Sequence, residues 1–291
     1  MANITLMEFL QTDPAAFQYY DRNQANTSTY HERFDITRVT NIHTWDEFNL
    51  GTIMNQFRDL LDNVRVGTDA RPITPPLRFA AEDYLRELVC VYADRPVRRA
   101  LARTFTYIAA NPSNEWVGRT AITLGAGSST ALIGKFVPDR AMYNPSVDVS
   151  VNRLPGEIKP SWKWDAAWLA PHSERRRVGI KRLSQLTFYM LQQGYRAQHS
   201  GAKYGYMLTD KELIAFRKED AQRTISVSKP VPWAGPSNGE PRMTVLLALW
   251  YLGMLSSHDD DWNLDAQPGD PADSELISQR RVAPAPGAAT S

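Results

Sequence analysis

The sequence has little cysteine, few histidines and no long apolar run, and each shortage excludes a class of protein. Its single cysteine, Cys90, excludes a disulfide framework and a cysteine-based zinc site. The five histidines are far apart and form no H-x-x-x-H pair, which argues against a histidine zinc site. The longest apolar stretch, Met243 to Leu255, is shorter than the roughly 20 residues of a membrane span. We expect it to form a buried helix, and we expect no membrane partner.

The chain also lacks an excess of either charge. Its 291 residues carry 33 Lys+Arg and 32 Asp+Glu, a net charge of +1. This balance argues against a surface that coats nucleic acid throughout, but it leaves room for a local basic patch. The first ten residues have no basic region before an apolar core, so they lack the layout of a secretory signal. We therefore expect a cytoplasmic protein.

The pattern of apolar residues predicts a protein that contains both helices and strands. Amphipathic spacing predicts helices, and short apolar runs between turn residues predict strands. The predicted helices cover 45–64, 79–89, 95–109, 175–193 and 243–256. The predicted strands cover 120–124, 131–137, 141–143, 147–151, 156–158, 204–209, 212–217 and 225–231. This order indicates an α/β (α+β) fold.

The composition divides the chain into three parts. The polar and aromatic residues before position 40 predict an N-terminal arm over 1–40. The predicted elements fall within a single domain over 41–265. Proline, glycine, alanine and serine dominate the end, which predicts a disordered tail over 266–291.

Residues suited to chemistry lie at the ends of predicted strands in the middle of the chain. Seventeen residues separate Asp139 from the triplet Glu157-Ile158-Lys159. Because residues i and i+2 of a strand point to the same face, Glu157 and Lys159 can converge with Asp139 on one point. Paired carboxylates bind Mg²⁺ or Mn²⁺, and a lysine can orient water or stabilise negative charge. Asp148 is a competing carboxylate that replaces Asp139 if the strand register differs.

A further pair, Gln185 and Tyr189, lies on the predicted helix downstream. Together with Asp139 and Glu157-x-Lys159, this pair resembles the motifs of the PD-(D/E)XK nuclease superfamily, and the RecB-like branch is the most similar. The resemblance spans roughly 77–218. It implies a single nuclease-like domain with a mixed central sheet flanked by helices, a helical N-terminal region and a C-terminal helix.

The resemblance also implies roles for these residues. In a nuclease, Asp139 and Glu157 would bind Mg²⁺, Lys159 would position the attacking water, and Gln185 or Tyr189 would orient the nucleic-acid backbone. In that superfamily an upstream helix often supplies another carboxylate, a place for Glu87 or, less typically, Asp83. The alternative is structural: Asp139 caps a strand, Glu157 and Lys159 form a surface pair, and Gln185 and Tyr189 border an amphipathic helix.

Two tryptophans follow the triplet directly. Pro160 lacks an amide proton, so the strand must end there or lie at an edge. Trp162 and Trp164 therefore lie beside the predicted site. They either pack in the core or form a wall on which a base, a ribose or an aromatic side chain stacks.

Five cations open the helix that carries Gln185. They are Arg175, Arg176, Arg177, Lys181 and Arg182. Cations in the first turns of a helix oppose its dipole, so a contact with phosphates is one reason for their presence. A solvated helix face is the alternative.

Along nearly its whole length the chain also resembles a large set of filamentous-fungal proteins, most of them without an assigned activity. The resemblance lies in Leu154–Trp162, Tyr204–Asp210 and Leu246–Leu255. The fungal arginine-containing cyclodipeptide synthases are identified as members of this set. The resemblance implies an enzyme that takes arginine and a second amino acid from their aminoacyl-tRNAs and joins them into a diketopiperazine. Its partners are then arginyl-tRNA and a second aminoacyl-tRNA, and it needs no cofactor.

The same residues suit this chemistry. The basic helix would hold the tRNA acceptor end, the tryptophans would hold the terminal adenosine or the aminoacyl side chain, and carboxylates would grip the arginine guanidinium. Glu157 or Asp139 would act as general base for the attacking amine, and Lys159 would stabilise the carbonyl oxygen. We favour the synthase on the whole-chain resemblance. A Mg²⁺-dependent nuclease and a catalytically silent nucleic-acid-binding module are the alternatives, and metal dependence, tRNA dependence and product separate the three.

Overall fold

The fold combines a large mixed sheet with helices on both of its faces. The computed structural model describes residues 3–12, 17–20, 39–68, 77–130, 137–147, 151–192, 201–219, 224–234 and 239–263. The helices in these ranges are α1 (Leu6–Leu10), α2 (Leu50–Asn63), α3 (Glu82–Val89), α4 (Arg95–Ala110), α5 (Arg176–Gln192) and α6 (Val245–Ser256). A single π-helical stretch, Cys90–Asp94, joins α3 to α4 and is called the π segment below.

Twelve strands lie in the same described ranges. They are β1 (Asn3–Thr5), β2 (Phe17–Tyr19), β3 (Asn41–Thr44), β4 (Arg65–Gly67), β5 (Leu77–Phe79), β6 (Thr123–Ala126), β7 (Arg140–Tyr143), β8 (Leu154–Ile158), β9 (Tyr204–Leu208), β10 (Glu212–Lys218), β11 (Thr224–Val227) and β12 (Val231–Pro232). The main sheet has the order β3-β11-β10-β9-β8-β7-β6, and β12 pairs with β10. β8 runs parallel to β9 and antiparallel to β7, so the sheet is mixed and β8 has one neighbour of each kind.

The two faces of the main sheet pack against different helices. On one face, α1, α2, α4 and α6 form the larger core with β8 and β9 residues such as Leu154 and Tyr206. On the other face, α5 packs on Met207, Ile214 and Phe216. We call these the α6 face and the α5 face. Because side chains alternate along a strand, Glu157 and Lys159 point to the α5 face, opposite Ile158.

Helix α6 lies at the centre of the larger core. Its N-terminus is capped by Thr244, whose hydroxyl accepts a hydrogen bond from the Leu247 amide at 3.1 Å. Nearly every residue of α6 is buried, so it has no polar face. The prediction that 243–256 forms a buried helix is confirmed. Among the described residues, no helix combines the length and the apolar character needed to cross a membrane.

Gly156 of β8 is required by a close approach of the neighbouring strand. The Tyr206 ring of β9 covers it so closely that a Cβ at position 156 would lie 2.2 Å from a ring carbon. Tyr206 is fully buried there. The strand that carries Glu157 therefore has a glycine directly before the glutamate, and no larger residue fits without displacing the ring.

Most predicted elements are confirmed with shifted ends. The five predicted helices correspond to α2 to α6, and the predicted hairpin over 204–217 is the antiparallel pair of β9 and β10. The arm prediction covers α1, whose Leu6 and Leu10 are fully buried in the larger core. The tail over 266–291, most of the predicted strands over 131–137 and 147–151, and Asp148 lie outside the described residues.

Candidate active site

The C-terminal end of β8 brings the predicted triplet together with Asp139. Lys159 Nζ lies 2.9 Å from Glu157 Oε2 and 3.4 Å from Asp139 Oδ2. The alternation of a β-strand accounts for the first contact, and the antiparallel pairing of β7 with β8 accounts for the second. The predicted convergence of these three side chains is therefore found in the structure.

Asp139 is held rigidly just before β7. Its Oδ2 accepts a hydrogen bond from the Ile158 amide at 2.9 Å, across the strand boundary. This backbone donor ties the Asp139 carboxylate to β8, the strand that carries Glu157.

Helix α3 contributes a third carboxylate, that of Glu82. Its Oε1 lies 3.0 Å from Lys159 Nζ, and its Oε2 accepts from Lys163 Nζ at 2.8 Å. Arg86, one turn further along α3, binds the same group: its Nη2 lies 2.6 Å from Glu82 Oε1 and 3.0 Å from Asp139 Oδ1. The site therefore contains three carboxylates and three cations.

The upstream helix supplies a carboxylate, but from a residue other than the two expected. Glu87 is exposed on another stripe of α3. Asp83 is also exposed and binds only Arg86 within this site, with Nη1 2.9 Å from Oδ1. Glu82 precedes Asp83 in the first turn of α3, and this position turns it toward β8.

The three carboxylates differ in their exposure to solvent. The side chain of Glu157 is 3% exposed, whereas those of Asp139 and Glu82 are 14% and 16% exposed. We call the side of Asp139 and Glu82 the open end of the cluster, because Glu157 is the most deeply buried of the three.

Burial gives Glu157 an unusual acidity. Loss of solvent raises the pKa of this carboxyl, and the negative charge of Asp139 adds to the rise, while Lys159 opposes it; the resulting pKa is about 7. A carboxylate with a pKa near neutrality exchanges protons readily under physiological conditions. This property is typical of a general base or acid.

Glu82 and Lys159 both remain ionised at neutral pH. Burial alone would raise the pKa of Glu82, but the charges of Lys159, Lys163 and Arg86 outweigh it and lower the pKa to about 2. Burial disfavours the ammonium form of Lys159, yet Glu157, Asp139 and Glu82 together raise its pKa above the ordinary value. Lys159 is therefore a fixed positive charge among three carboxylates.

Helix α5 adds a chain of hydrogen bonds on the same face. Arg182 Nη1 donates to Gln185 Oε1 at 2.9 Å, and Gln185 Nε2 donates to the Tyr189 hydroxyl at 3.0 Å. Because the Tyr189 oxygen accepts from Gln185, its own hydrogen is directed elsewhere. Burial and the nearby charge of Glu157 raise the pKa of Tyr189, so the hydroxyl stays protonated. Tyr189 is thus a protonated hydroxyl close enough to Glu157, Lys159 and Asp139 to be affected by their charges.

Arg182 is therefore not part of an exposed basic patch. It is buried and serves the Gln185 amide, which corrects its expected contact with nucleic acid. Arg176 is half-buried and donates to the Leu169 carbonyl at 3.0 Å, and Lys181 is also half-buried. Arg175 and Arg177 are exposed, and the Arg175 guanidinium lies over the Trp168 ring at 5.0 Å.

The two predicted tryptophan walls have different positions. Trp164 is fully buried in the α5-face core and packs edge-on against Phe216, so of its two alternatives the core-packing one is found and the substrate wall is excluded. A turn explains this, because the Lys163 and Trp164 amides both donate to the Pro160 carbonyl. Trp162 is half-buried and stacks on Tyr19, with ring centroids 3.8 Å apart. The Tyr19 ring thus covers one face of Trp162 on which a ligand would otherwise stack.

The fit of a magnesium ion depends on the oxygens that are available. Within the described ranges, no group of three or more histidine, cysteine or carboxylate side chains has an arrangement that holds a metal ion. Lys159 and Arg86 lie among the carboxylates and pair with the oxygens that Mg²⁺ would use. A Mg²⁺ ion would therefore compete with Lys159 and Arg86 for these carboxylate oxygens.

Sequence reasoning missed Glu82, Arg86 and Lys163, and it missed a buried pair behind them, Asp94 and Arg140. Glu82 and Arg86 carry one readable signal, the i, i+4 spacing of opposite charges on a helix. That signal is common on solvated helices and does not mark a site. Arg140 directly follows Asp139, but nothing local shows that its partner lies 46 residues earlier.

Comparison with known proteins gives no match to a family model, to a curated protein or to a solved structure.

Proposed function

We propose that the chain is a tRNA-dependent cyclodipeptide synthase, built as a single PD-(D/E)XK-like domain, that joins arginine to a second amino acid. The observation that carries this proposal is Glu157, a buried carboxylate with a pKa of about 7 beside the fixed charge of Lys159. Aminoacyl transfer needs a base for the attacking amine and a positive group at the carbonyl oxygen. The two groups are 2.9 Å apart and meet both needs.

The reaction follows from this arrangement. The α-amine of one aminoacyl ester attacks the carbonyl carbon of the other, a new amide bond forms, and the ribose hydroxyl of the tRNA leaves. Glu157 takes the proton of the amine and returns it to the departing ribose oxygen, so it is again a base for the second attack that closes the ring and releases the second tRNA. Lys159 stabilises the oxyanion of each tetrahedral intermediate. Aminoacyl esters are already activated, so positioning supplies much of the acceleration.

The acidic face of the site supports arginine as one substrate. Glu82, Asp83 and Asp139 already surround one guanidinium, that of Arg86. Paired carboxylates at this spacing hold a guanidinium by charge-assisted hydrogen bonds. The exposed side of Asp83 leaves acidic surface for a second guanidinium at the open end of the cluster.

The start of α5 supports a tRNA as the carrier. Arg175 and Arg177 are exposed there, and Arg177 is twelve residues from Tyr189, about 18 Å along the helix axis. A small substrate cannot contact both places at once. The single-stranded acceptor end of a tRNA can, with its phosphates at the arginines and its ester at Glu157.

The test is to express the protein in bacteria, which contain every aminoacyl-tRNA, and to search the medium for arginine-containing diketopiperazines by mass spectrometry. We expect a new product that disappears with Glu157→Gln. The matched control is Glu87→Gln, an exposed glutamate outside the cluster, which should keep the product. Purified protein should then require charged tRNA and lose activity after ribonuclease treatment. Absence of product with well-folded protein would contradict the proposal.

The second candidate is a Mg²⁺-dependent nuclease. The convergence of Asp139, Glu157 and Lys159 at the strand ends favours it. It requires Arg86 and Lys159 to leave the carboxylate oxygens that they now hold. Cleavage of DNA or RNA that depends on Mg²⁺ or Mn²⁺ and is lost in Glu157→Gln would favour the nuclease, and binding without either reaction would favour a silent nucleic-acid-binding module.

A further inference from the structure

Arg140 contacts the candidate site from behind. Its Nε lies 2.6 Å from Asp94 Oδ2, its Nη1 donates to the Asp139 carbonyl at 3.0 Å, and its Nη2 donates to the Arg86 carbonyl at 3.0 Å. The three acceptors belong to three places in the chain: the π segment, the residue before β7, and α3. A single guanidinium thus joins three elements.

The two carbonyls belong to residues that also pair through their side chains. Arg86 Nη2 lies 3.0 Å from Asp139 Oδ1 on the side of the cluster. Arg140 therefore holds the main chains of the same two residues whose side chains meet at the open end of the site. Any shift of Arg140 changes the separation of Arg86 and Asp139.

The π segment brings the partner of Arg140 into place. A π turn inserts an extra residue into a helix and re-aims the residues that follow it. Asp94 is the last residue of this segment, directly before α4. It is 3% exposed, and Arg140 is 9% exposed, so the pair is removed from solvent.

Stability alone does not explain such a pair. Removing two charges from water is costly, and well-packed apolar residues often replace a buried ion pair without loss of stability. Burial also raises the pKa of Asp94 to about 6, against the opposing charge of Arg140, and one carboxylate oxygen, Oδ1, has no hydrogen-bond partner. The pair is thus held at a cost, as expected where geometry rather than stability is required.

We propose that Arg140 is a positioning residue, anchored by Asp94, that fixes the separation of Arg86 and Asp139 and through them the environment of Glu157. Its place in catalysis rests on the proposed function, but its effect on Glu157 does not. A loss of the three contacts should change the titration of Glu157 in the folded protein, whatever reaction the site performs.

The experiment uses two variants. The double variant Asp94→Leu with Arg140→Met replaces the pair by apolar side chains of similar size. The single variant Arg140→Lys keeps a cation opposite Asp94 but cannot reach both carbonyls, because a lysine lacks the planar fork of donors. Leu88→Met, a buried change on α3 that leaves the pair intact, is the matched control.

Two readouts separate positioning from a structural role. The midpoint of the Glu157 titration, followed by NMR of its carboxyl carbon, should move by about half a pH unit or more in both variants and not in the control. The synthase assay should show a fall of about tenfold or more in kcat in both variants, with a smaller change in KM. Arg140→Lys should keep the melting temperature near that of the parent.

The outcomes distinguish this inference from the proposed function. A displaced Glu157 titration in the two variants, together with a parent protein that forms no diketopiperazine, would uphold the positioning role and contradict the proposed synthase activity. Folded variants with an unchanged titration and unchanged kcat would overturn the inference. Failure of both variants to fold would overturn it as well, since the pair would then be a requirement of the fold.

Discussion

Lys159 Nζ lies 3.0 Å from Oε1 of Glu82, a residue that precedes it by 77 positions. This contact joins α3 to the end of β8 and places the lysine among three carboxylates. The ammonium is fixed from three directions, so its charge acts at one point. A preorganised charge of this kind stabilises a developing oxyanion without reorganisation during the reaction.

Glu82→Gln should lower activity and reduce stability in a pH-dependent manner. The folded-state pKa of Glu82 is about 2, below its ordinary value of 4.5, so its ionised form stabilises the fold above pH 4.5. That contribution is lost as the pH falls toward 2. Because the group is partly exposed, we expect only about 1 kcal/mol at pH 7. Urea unfolding at pH 7 and pH 3 should show a difference in the free energy of unfolding between parent and variant that is smaller at pH 3. A difference that stays constant would contradict the ion pairs of Glu82.

Glu157→Gln should have the opposite dependence. The folded-state pKa of about 7 exceeds the ordinary 4.5, so the fold favours the protonated form. The parent should lose stability as the pH rises from about 4.5 through 7, on the order of 2 kcal/mol, and the variant should not. Thermal melting at pH 5 and pH 8 measures this. A variant much less stable at pH 5 would instead show that the glutamate is needed for the fold.

The activity of the parent should follow the same ionisation. A general base works only when it is deprotonated, so kcat/KM should rise with pH through about 7. Steady-state rates between pH 5.5 and 8.5 measure this limb, with folding checked at each pH by circular dichroism. A flat profile across this range would remove Glu157 as the base.

Arg175→Ala with Arg177→Ala should weaken tRNA binding and reduce its salt dependence. Each lost phosphate contact lowers the slope of log affinity against log salt by about 0.7 to 0.9, so the pair should lower it by about 1.5. Arg58→Ala with Arg103→Ala is the matched control, because both residues are exposed on helices of the α6 face. Filter binding across a salt series is the measurement. Equal slopes in both double variants would exclude the start of α5 from the interface.

Trp164→Ala should act on stability rather than on binding. Trp164 is fully buried beside Phe216, and truncation of such a ring costs about 3–5 kcal/mol. Chemical denaturation measures the loss, and tRNA affinity of the fraction that remains folded should be unchanged. Trp162→Ala is the comparison, since its half-buried ring should cost less. A specific loss of affinity in folded Trp164→Ala would restore the substrate-wall role.

The sequence predicted those contacts of the site that follow from the regular geometry of neighbouring strands. Glu157 and Lys159 share a face because a strand alternates, and Asp139 joins them because it comes immediately before the neighbouring strand. Helix α3 shows where local rules stop. Glu82, Asp83 and Glu87 all lie on it, and only the rotation of α3 against β8 selects Glu82.

The choice between the two alternatives for Trp164 and the existence of the Asp94–Arg140 pair could not be predicted, for related reasons. The direction of Trp164 depends on a turn at Pro160 that reverses the chain within four residues. Asp94 faces Arg140 only because of the π segment, and no sequence pattern marks a π turn. Arg182 lies in a run of cations that the sequence assigns to one surface, yet in the structure its side chain is buried and donates to Gln185.

The contact between Gly156 and the Tyr206 ring gives the chain a signature for finding relatives. A Glu-x-Lys triplet occurs by chance in many sequences, but here the ring permits only glycine before the glutamate. A search for Gly-Glu-x-Lys followed by a strand with an aromatic residue at the place of Tyr206 would reject most chance matches. Because the strand of Tyr206 pairs in register with that of Gly156, the two positions should change together or not at all as such sequences diverge.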